Sequence, residues 1–299
     1  MVVPGIHHTE KANVIMDLIE IKKLFFSYES AEAEEQCTYA LRGIDLSIKT
    51  GQYVAVVGAN GSGKSTLLKH MNALLVPTSG DVWISGFNTR DPSALMEIRS
   101  RVGMVFQNPD TQIITTLVED ELAFGPENLG LPEKEIRERL EWAMAVAGIT
   151  QLRNRQPHLL SAGQKQLLAV ASILAMRPSC LVLDEAASML DPASFERVFD
   201  TVHRLHEDGM TVVSATHNME EAARAQRIVV LSGGTVAVDG DPFTVFSKER
   251  TLKELRLDLP CAARIARRIG PRLDLEPSRL LSADTLVQAV TSALGGGDG

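Results

Sequence analysis

The chain has 299 residues, 44% of them hydrophobic and 23% charged, which suits one large soluble domain or two modest ones. Its formal net charge of −8 argues against non-specific nucleic-acid binding, which needs a basic face. Cys37, Cys180 and Cys261 stand apart without C-x-x-C spacing, so neither a zinc site nor a disulfide framework is indicated, and no apolar run approaches the roughly 18 residues needed to span a bilayer.

In chain order, residues 1 to about 16 read as a loose extension without a signal-peptide pattern, with His7 and His8 as solvated side chains. IMDLIEIKKLFFSY (15–28) reads as a strand, and the acidic ESAEAEEQ (29–36) as a surface loop. ALRGIDLSIKTG (40–51) alternates like a half-buried strand, whereas QYVAVVG (52–58) is an apolar run suited to a strand buried on both faces of a parallel sheet. STLLKHMNALL (65–75) carries Leu67, Leu68, Met71 and Leu74/Leu75 at helical spacing, until Pro77, Ser79 and Gly80 break the chain. VWIS (82–85) and VGMVFQ (102–107) are strand-like.

Helix formers then dominate from Pro109 to Met176. PEKEIRERLEWAMAVAGI (132–149) places Pro132 in the first turn, Ile136, Leu140, Ala143, Met144 and Ala147 on one face, and Gly148 at the close. CLVLDE (180–185), MTVVSATH (210–217) and RIVVLSGGTVAVDG (227–240) are three further strands. Strands alternating with helices predict a parallel sheet covered on both sides, with the middle stretch as a helical insertion. From Asp241 onward TLKELRLDL, PCAARIARRI and ADTLVQAVTSAL (283–294) are short helical candidates, the last with Leu286, Val290 and Leu294 on one face after a Ser282 cap. A tail of about 60 residues is small for a core of its own and is expected to pack on the main domain or on a partner, with GGGDG as a disordered end.

The chemistry begins at GANGSGKST (58–66), which fits G-x-x-x-x-G-K-[ST] between a buried strand and a helix. Glycines there let backbone N–H groups curl round phosphates, and the helix start adds partial positive charge. Gly58, Ala59, Asn60, Gly61, Ser62, Gly63, Lys64, Ser65 and Thr66 thus form a candidate nucleotide cradle. Lys64 would reach the β- and γ-phosphates, and the Ser65 hydroxyl would ligate Mg²⁺. CLVLDE places Asp184 at a strand's carboxyl end as a second metal partner, and Glu185 where it could polarise a water for attack on the γ-phosphate. Gln107, Asp191 and His217 also follow strands or turns. Each alone reads as a cap or turn residue, but together they sit where loops converge on a γ-phosphate. HLLSAGQKQLLAV (158–170) is at once a helix start and a candidate phosphate site.

The succession of P-loop, Gln after a strand, LS-G-Q before a helix, hhhhDE, Asp in a turn and His after a strand resembles the ABC transporter ATPases over about residues 17–240. That resemblance implies an α/β P-loop NTPase fold with a RecA-like parallel core sheet, an antiparallel β subdomain, an inserted α-helical subdomain at about 108–178 and a mostly helical C-terminal extension at 241–299, a possible dimer contact. It implies ATP and Mg²⁺ as ligands, with Ser65, Gln107 and Asp184 on the metal and Tyr28 stacking on adenine. It also implies a head-to-tail dimer in which Ser161, Ala162, Gly163, Gln164 and Asp191 serve the partner's ATP. VFQNPDTQIITTLVEDELAFGPENLGL (105–131) and DEAASMLDP (184–192) are similar to energy-coupling factor (ECF) transporter ATPases, importers of vitamins and metal ions, and SMLDP to the first member of their usual heterodimer. The implied partners are a second, paralogous ATPase and two membrane proteins, one coupling and one substrate-binding. The implied place is peripheral, at the cytoplasmic face of the cell membrane, with no nucleic acid.

Two alternatives stand beside this. A soluble ABC ATPase acting on DNA or ribosomes would carry a long coiled coil or two cassettes, and the interval from Lys64 to Ser161 shows no sustained heptads. A regulatory subunit with a weakened signature would fit Ala162 where the family usually has Gly, Leu167 where a basic residue is common, and Ala186-Ala187 after the glutamate. If position 162 needs positive φ, alanine there costs on the order of 1 kcal/mol; otherwise it is nearly silent.

Overall fold

The computed structural model describes residues 17–28, 39–273 and 276–295; the N-terminal extension with His7 and His8, the acidic loop 29–36 and the last four residues lie outside them. Strands β1 (Asp17–Ser27), β2 (Tyr39–Lys49) and β3 (Tyr53–Val57) come first, and helix α1 (Lys64–Met71) follows the glycine-rich loop. Next are β4 (Ser79–Ile84), β5 (Phe87–Asn88), α2 (Leu95–Arg101) and β6 (Val102–Val105). The helical stretch contains α3 (Val118–Asn128), α4 (Glu133–Ala147) and α5 (Ala162–Ala175). The chain returns through β7 (Cys180–Asp184), α6 (Pro192–Glu207), β8 (Thr211–Thr216), α7 (Met219–Ala223), β9 (Arg227–Ser232) and β10 (Thr235–Gly240). The tail holds α8 (Pro242–Ser247), α9 (Glu249–Glu254), α10 (Cys261–Leu273) and α11 (Ala283–Gly295).

A six-stranded sheet runs β10-β9-β3-β8-β7-β6, parallel from β9 to β6 with β10 antiparallel at one edge. Its central strands are apolar at every position because both faces are covered. Val54 and Val56 point to one side, into a core with α1 and the β1, β2 and β4 side chains, while Tyr53, Ala55 and Val57 point to the other, among the helices. The second sheet, β2-β1-β4-β5, is antiparallel. Tail residues Phe246, Leu252, Leu257, Leu259 and Ala263 belong to the helix-side core, while among the described residues a small cluster of Ala262, Ala266, Leu280 and Leu286 stands apart from it.

Several boundaries differ from the sequence reading. The first helix stops at Met71, with Asn72 at its cap and Ala73 at φ 55°, so Leu74 is exposed and Leu75 only half-buried. The single strand read over 227–240 is a hairpin, β9 and β10, divided at Gly233-Gly234. Pro132 flanks α4 as its N-cap instead of opening its first turn. On α11 Leu286 is buried and Val290 packs against the same cluster, but Leu294 is exposed, so the stripe ends before the last turn. Helix α6 is absent from the sequence reading, although Asp191 as its N-cap and Pro192 at its first position are a helix start.

One buried group makes the fold pH-sensitive. His70 on α1 is fully buried, its Nδ1 lies 2.7 Å from the Thr66 carbonyl oxygen, and its ring meets Phe26 edge-on at 4.7 Å. Burial pulls its pKa down to about 4, so the native state requires the neutral ring. The stabilising contribution is complete above the unfolded value near ~6.5 and is lost as pH falls toward about 4. In urea unfolding at a series of pH values, H70L is expected to remove about 3 kcal/mol of the wild-type loss between pH 7 and 4. Parallel pH profiles for the two proteins would contradict this.

Candidate nucleotide site

The site forms where β3, β6, β7 and β8 end. From β3 the chain turns at Gly58 and winds through residues 58–63 into α1. Gly63 has φ 105°, and a Cβ there would come within 2.8 Å of Leu41 Cδ2 and 2.9 Å of the Ala40 carbonyl oxygen, so only glycine fits. The loop folds back over the Lys64 ammonium, which is 5% exposed and donates to the carbonyls of Gly58 (3.0 Å) and Ala59 (3.5 Å). Its third neighbour is Glu185, with Oε1 at 3.2 Å. The Ser62 hydroxyl, buried in the same loop, has no partner.

Beside this pair the Ser65 hydroxyl donates to Asp184 Oδ1 at 2.7 Å. Burial raises the Asp184 pKa and the neighbouring Glu185 adds to the rise, against the opposing pull of the Ser65 hydrogen bond, Lys69 and Lys64. Glu185 follows β7 with φ 50°, a left-handed backbone that a non-glycine residue adopts at a cost, and its N–H donates to the Ala215 carbonyl at 3.0 Å. That turn sends the side chain past β8 to Lys64. His217, one residue beyond β8, places Nδ1 3.8 Å from Glu185 Oε2 and is otherwise exposed. Gln107, two residues beyond β6, donates from Nε2 to the Ser188 hydroxyl at 3.2 Å. The Tyr28 hydroxyl lies 2.9 Å from Thr66 Oγ1, its ring meets Phe26 edge-on at 4.9 Å, and the residue is 64% exposed.

Ser161, Ala162, Gly163, Gln164 and Asp191 gather in a second cluster. Ser161 caps α5 through a reciprocal box: its Oγ accepts from the Gln164 N–H at 3.3 Å, and Gln164 Oε1 accepts from the Ser161 N–H at 3.0 Å. Asp191 caps α6, accepting from the N–H groups of Ala193 and Ser194 at 3.1 Å each. The two helix starts touch at Gly163, where a Cβ would lie 2.6 Å from Ser194 Cβ. Sequence reasoning missed Glu221 and Gln166. Glu221 on α7 accepts a hydrogen bond from the Ser214 hydroxyl, and burial raises its pKa. Gln166 sits fully buried on α5, and its one signal was an amide among apolar neighbours.

The ABC transporter family model matches residues 41–188. The energy-coupling factor transporter ATP-binding protein EcfA1 of Symbiobacterium thermophilum is 48% identical over 89% of this chain and 93% of its own length. Its counterpart in Clostridioides difficile is 47% identical over 84% and 90%. The chain belongs to the ECF transporter ATP-binding proteins. Among solved structures, cbiO1 of Clostridium perfringens, part of the ABC transporter complex cbiONQ, superposes with a TM-score of 0.71 at 32% identity, over 87% of this chain and 99% of its own. The ATP-binding cassette MJ0796, in a dimeric post-hydrolysis state bound to ADP and Pi, gives 0.66 at 32% identity over 75% and 98%.

For this ECF-type cassette the departure at Ala162 is conformationally silent. Ala162 is the first helical residue of α5 and is not among the residues with positive φ. Glycine there would relieve nothing and would lower helix preference. We expect A162G to lose up to about 1 kcal/mol in chemical denaturation and to keep its ATPase rate within about twofold. A clear gain in rate would show that alanine strains the signature.

Proposed function

We propose that the chain is the ATP-hydrolysing subunit that energises an ECF importer of vitamins or metal ions, working at the cytoplasmic face of the membrane. The observation that carries this is the meeting of Lys64 with Glu185 and of Ser65 with Asp184, which joins the phosphate loop to the end of β7. Among the described residues no helix is long and apolar enough to cross a membrane, which suits a subunit that relies on a membrane partner.

Ser65 and Asp184 fit a Mg²⁺ site: a hydroxyl and a carboxylate adjoin at 2.7 Å, and this ion is usually held by one or two carboxylates plus phosphate and water oxygens. An acid whose ionised form is disfavoured by burial gains from a neighbouring cation. Ser65, Asp184 and Gln107 would hold Mg²⁺, which would supply positive charge to offset that of the phosphates.

In the structure the Lys64 ammonium is paired with Glu185. A γ-phosphate entering the loop takes over Lys64 and the backbone N–H groups of residues 58–66. Glu185 is thereby freed to orient a water, with His217 beside it to hydrogen-bond the γ-phosphate or that water. Exposed Tyr28 offers its ring to adenine. The starts of α5 and α6, with exposed Ser161, Ala162 and Asp191 beside half-buried Gln164 and buried Gly163, serve an ATP held by a second, paralogous ATPase chain. ATP would close the two chains together and hydrolysis would release them, the movement passing through the segment after Gln107 to a membrane coupling subunit that works with a substrate-binding membrane protein.

The decisive substitution is E185Q. Turnover should fall by about 10²-fold or more, because the general base is gone. ATP should bind as tightly as in the wild type or more tightly, since no ion pair to Lys64 need be broken. Steady-state hydrolysis by the assembled transporter, with fluorescent-nucleotide binding in parallel, separates the two effects. Wild-type turnover in E185Q would remove Glu185 from its role.

A further inference from the structure

Helix α5 turns an apolar face to the core, with Leu167, Leu168, Val170, Ala171 and Leu174 buried. Gln166 is buried among them with 0% exposure. Its Nε2 donates to the Phe106 carbonyl at 3.2 Å, while its Oε1 has no hydrogen-bond partner. A buried, unpaired amide oxygen is destabilising, and an apolar side chain of the same length would avoid that penalty. Packing alone therefore does not account for a glutamine here.

What the amide holds is the peptide immediately before Gln107. The Phe106 N–H donates to Gln112 Oε1 at 3.1 Å, and Gln112 Nε2 lies 3.4 Å from the Met104 carbonyl oxygen, so the exit of β6 is fixed from within its own loop as well. The neighbouring Lys165 pairs with Asp110 at 2.6 Å, a second tie between the same helix and the same loop. Gln107 itself reaches Ser188, three residues past Glu185. One turn before Gln166, α5 begins with the Ser161–Gln164 capping box.

We propose that Gln166 is a positioning residue that couples the two ATP sites of the dimer, by gripping the Phe106 carbonyl so that α5 and the Gln107 loop move together. The inference rests on the reading above, in which the start of α5 meets the partner's ATP and Gln107 serves this chain's own. A helix is rigid along its length. A tilt imposed at Ala162 by a partner's phosphate is carried to Gln166, then to the Phe106 carbonyl, and so to the amide of Gln107.

Q166M tests this in the assembled transporter, because methionine keeps the length and volume but removes both the donor and the unpaired oxygen. We expect a melting temperature within about 2 °C of wild type or above it. We expect kcat to fall about tenfold or more while the KM for ATP changes less than about threefold. K165M, which cuts the surface tie without touching the core, should lower kcat in the same direction and keeps the test readable if Q166M folds poorly. Q107A is the control for the underlying reading, and the double variant Q107A/Q166M should be no slower than the worse single variant. Wild-type kcat in Q166M and K165M, with Q107A slow, overturns the coupling and leaves the role of Gln107 standing. Wild-type kcat in Q107A overturns both. A Q166M defect confined to melting temperature, or one that multiplies with Q107A, marks Gln166 as structural only and also overturns the proposal.

Discussion

The buried ammonium of Lys64 is the constraint on which the rest of the site depends. A cation removed from water costs several kcal/mol unless hydrogen bonds and an opposite charge surround it. Two of its needs are met by backbone, the carbonyls of Gly58 and Ala59, and this curls the loop back upon its own helix. The third is met by Glu185, which comes from β7, separated from β3 by β8 in the sheet. Reaching across β8 is what the left-handed backbone of Glu185 achieves, and such a conformation costs on the order of 1–3 kcal/mol. The glycine at 63, the turn at 185 and the strand order are thus three aspects of one arrangement around a single charge.

That arrangement needs a rigid floor. The strands beneath it are buried on both faces, and their alternation hands Val54 and Val56 to one core and Tyr53, Ala55 and Val57 to the other. Movement of one strand would disturb both cores, so the loops at the carboxyl edge are anchored even where they lack regular structure. The tail adds to the floor through Phe246 and Leu252, which pack in the helix-side core.

The P-loop and the acidic strand end were legible in the sequence because their chemistry is local: glycines, a lysine and a hydroxyl in fixed spacing, and an acid after an apolar run. The central strands were legible for the same reason. What could not be read were relations between distant residues. Nothing in Gly163 announces that Ser194 lies against it, and nothing in Glu185 announces a positive φ. Nothing in Gln166 announces its tie to the Phe106 carbonyl, which is far away in sequence. The hairpin at 227–240 was the exception: Gly233-Gly234 between two β-forming runs is itself a turn signal, and it was read through as one strand.

The signature segment is where the cap and the phosphate readings meet. A helix start leaves several N–H groups without intrahelical partners, and Ser161 and Gln164 satisfy two of them reciprocally. The bond from the Gln164 N–H to Ser161 Oγ is long at 3.3 Å, beyond the usual range for N–H···O, so little is lost when a stronger acceptor displaces it. A phosphate oxygen is such an acceptor, charged and favoured by the helix dipole. On the proposed reading the box would keep α5 ordered when no phosphate is near and would yield its donors to the phosphate of a partner's ATP. Ala162 belongs to the helix in the structure and is not among the residues with positive φ, so alanine in place of glycine strains nothing there. Competition between a weak internal cap and an external anion needs only that the helix start be exposed and its partner chain bring the phosphate within reach.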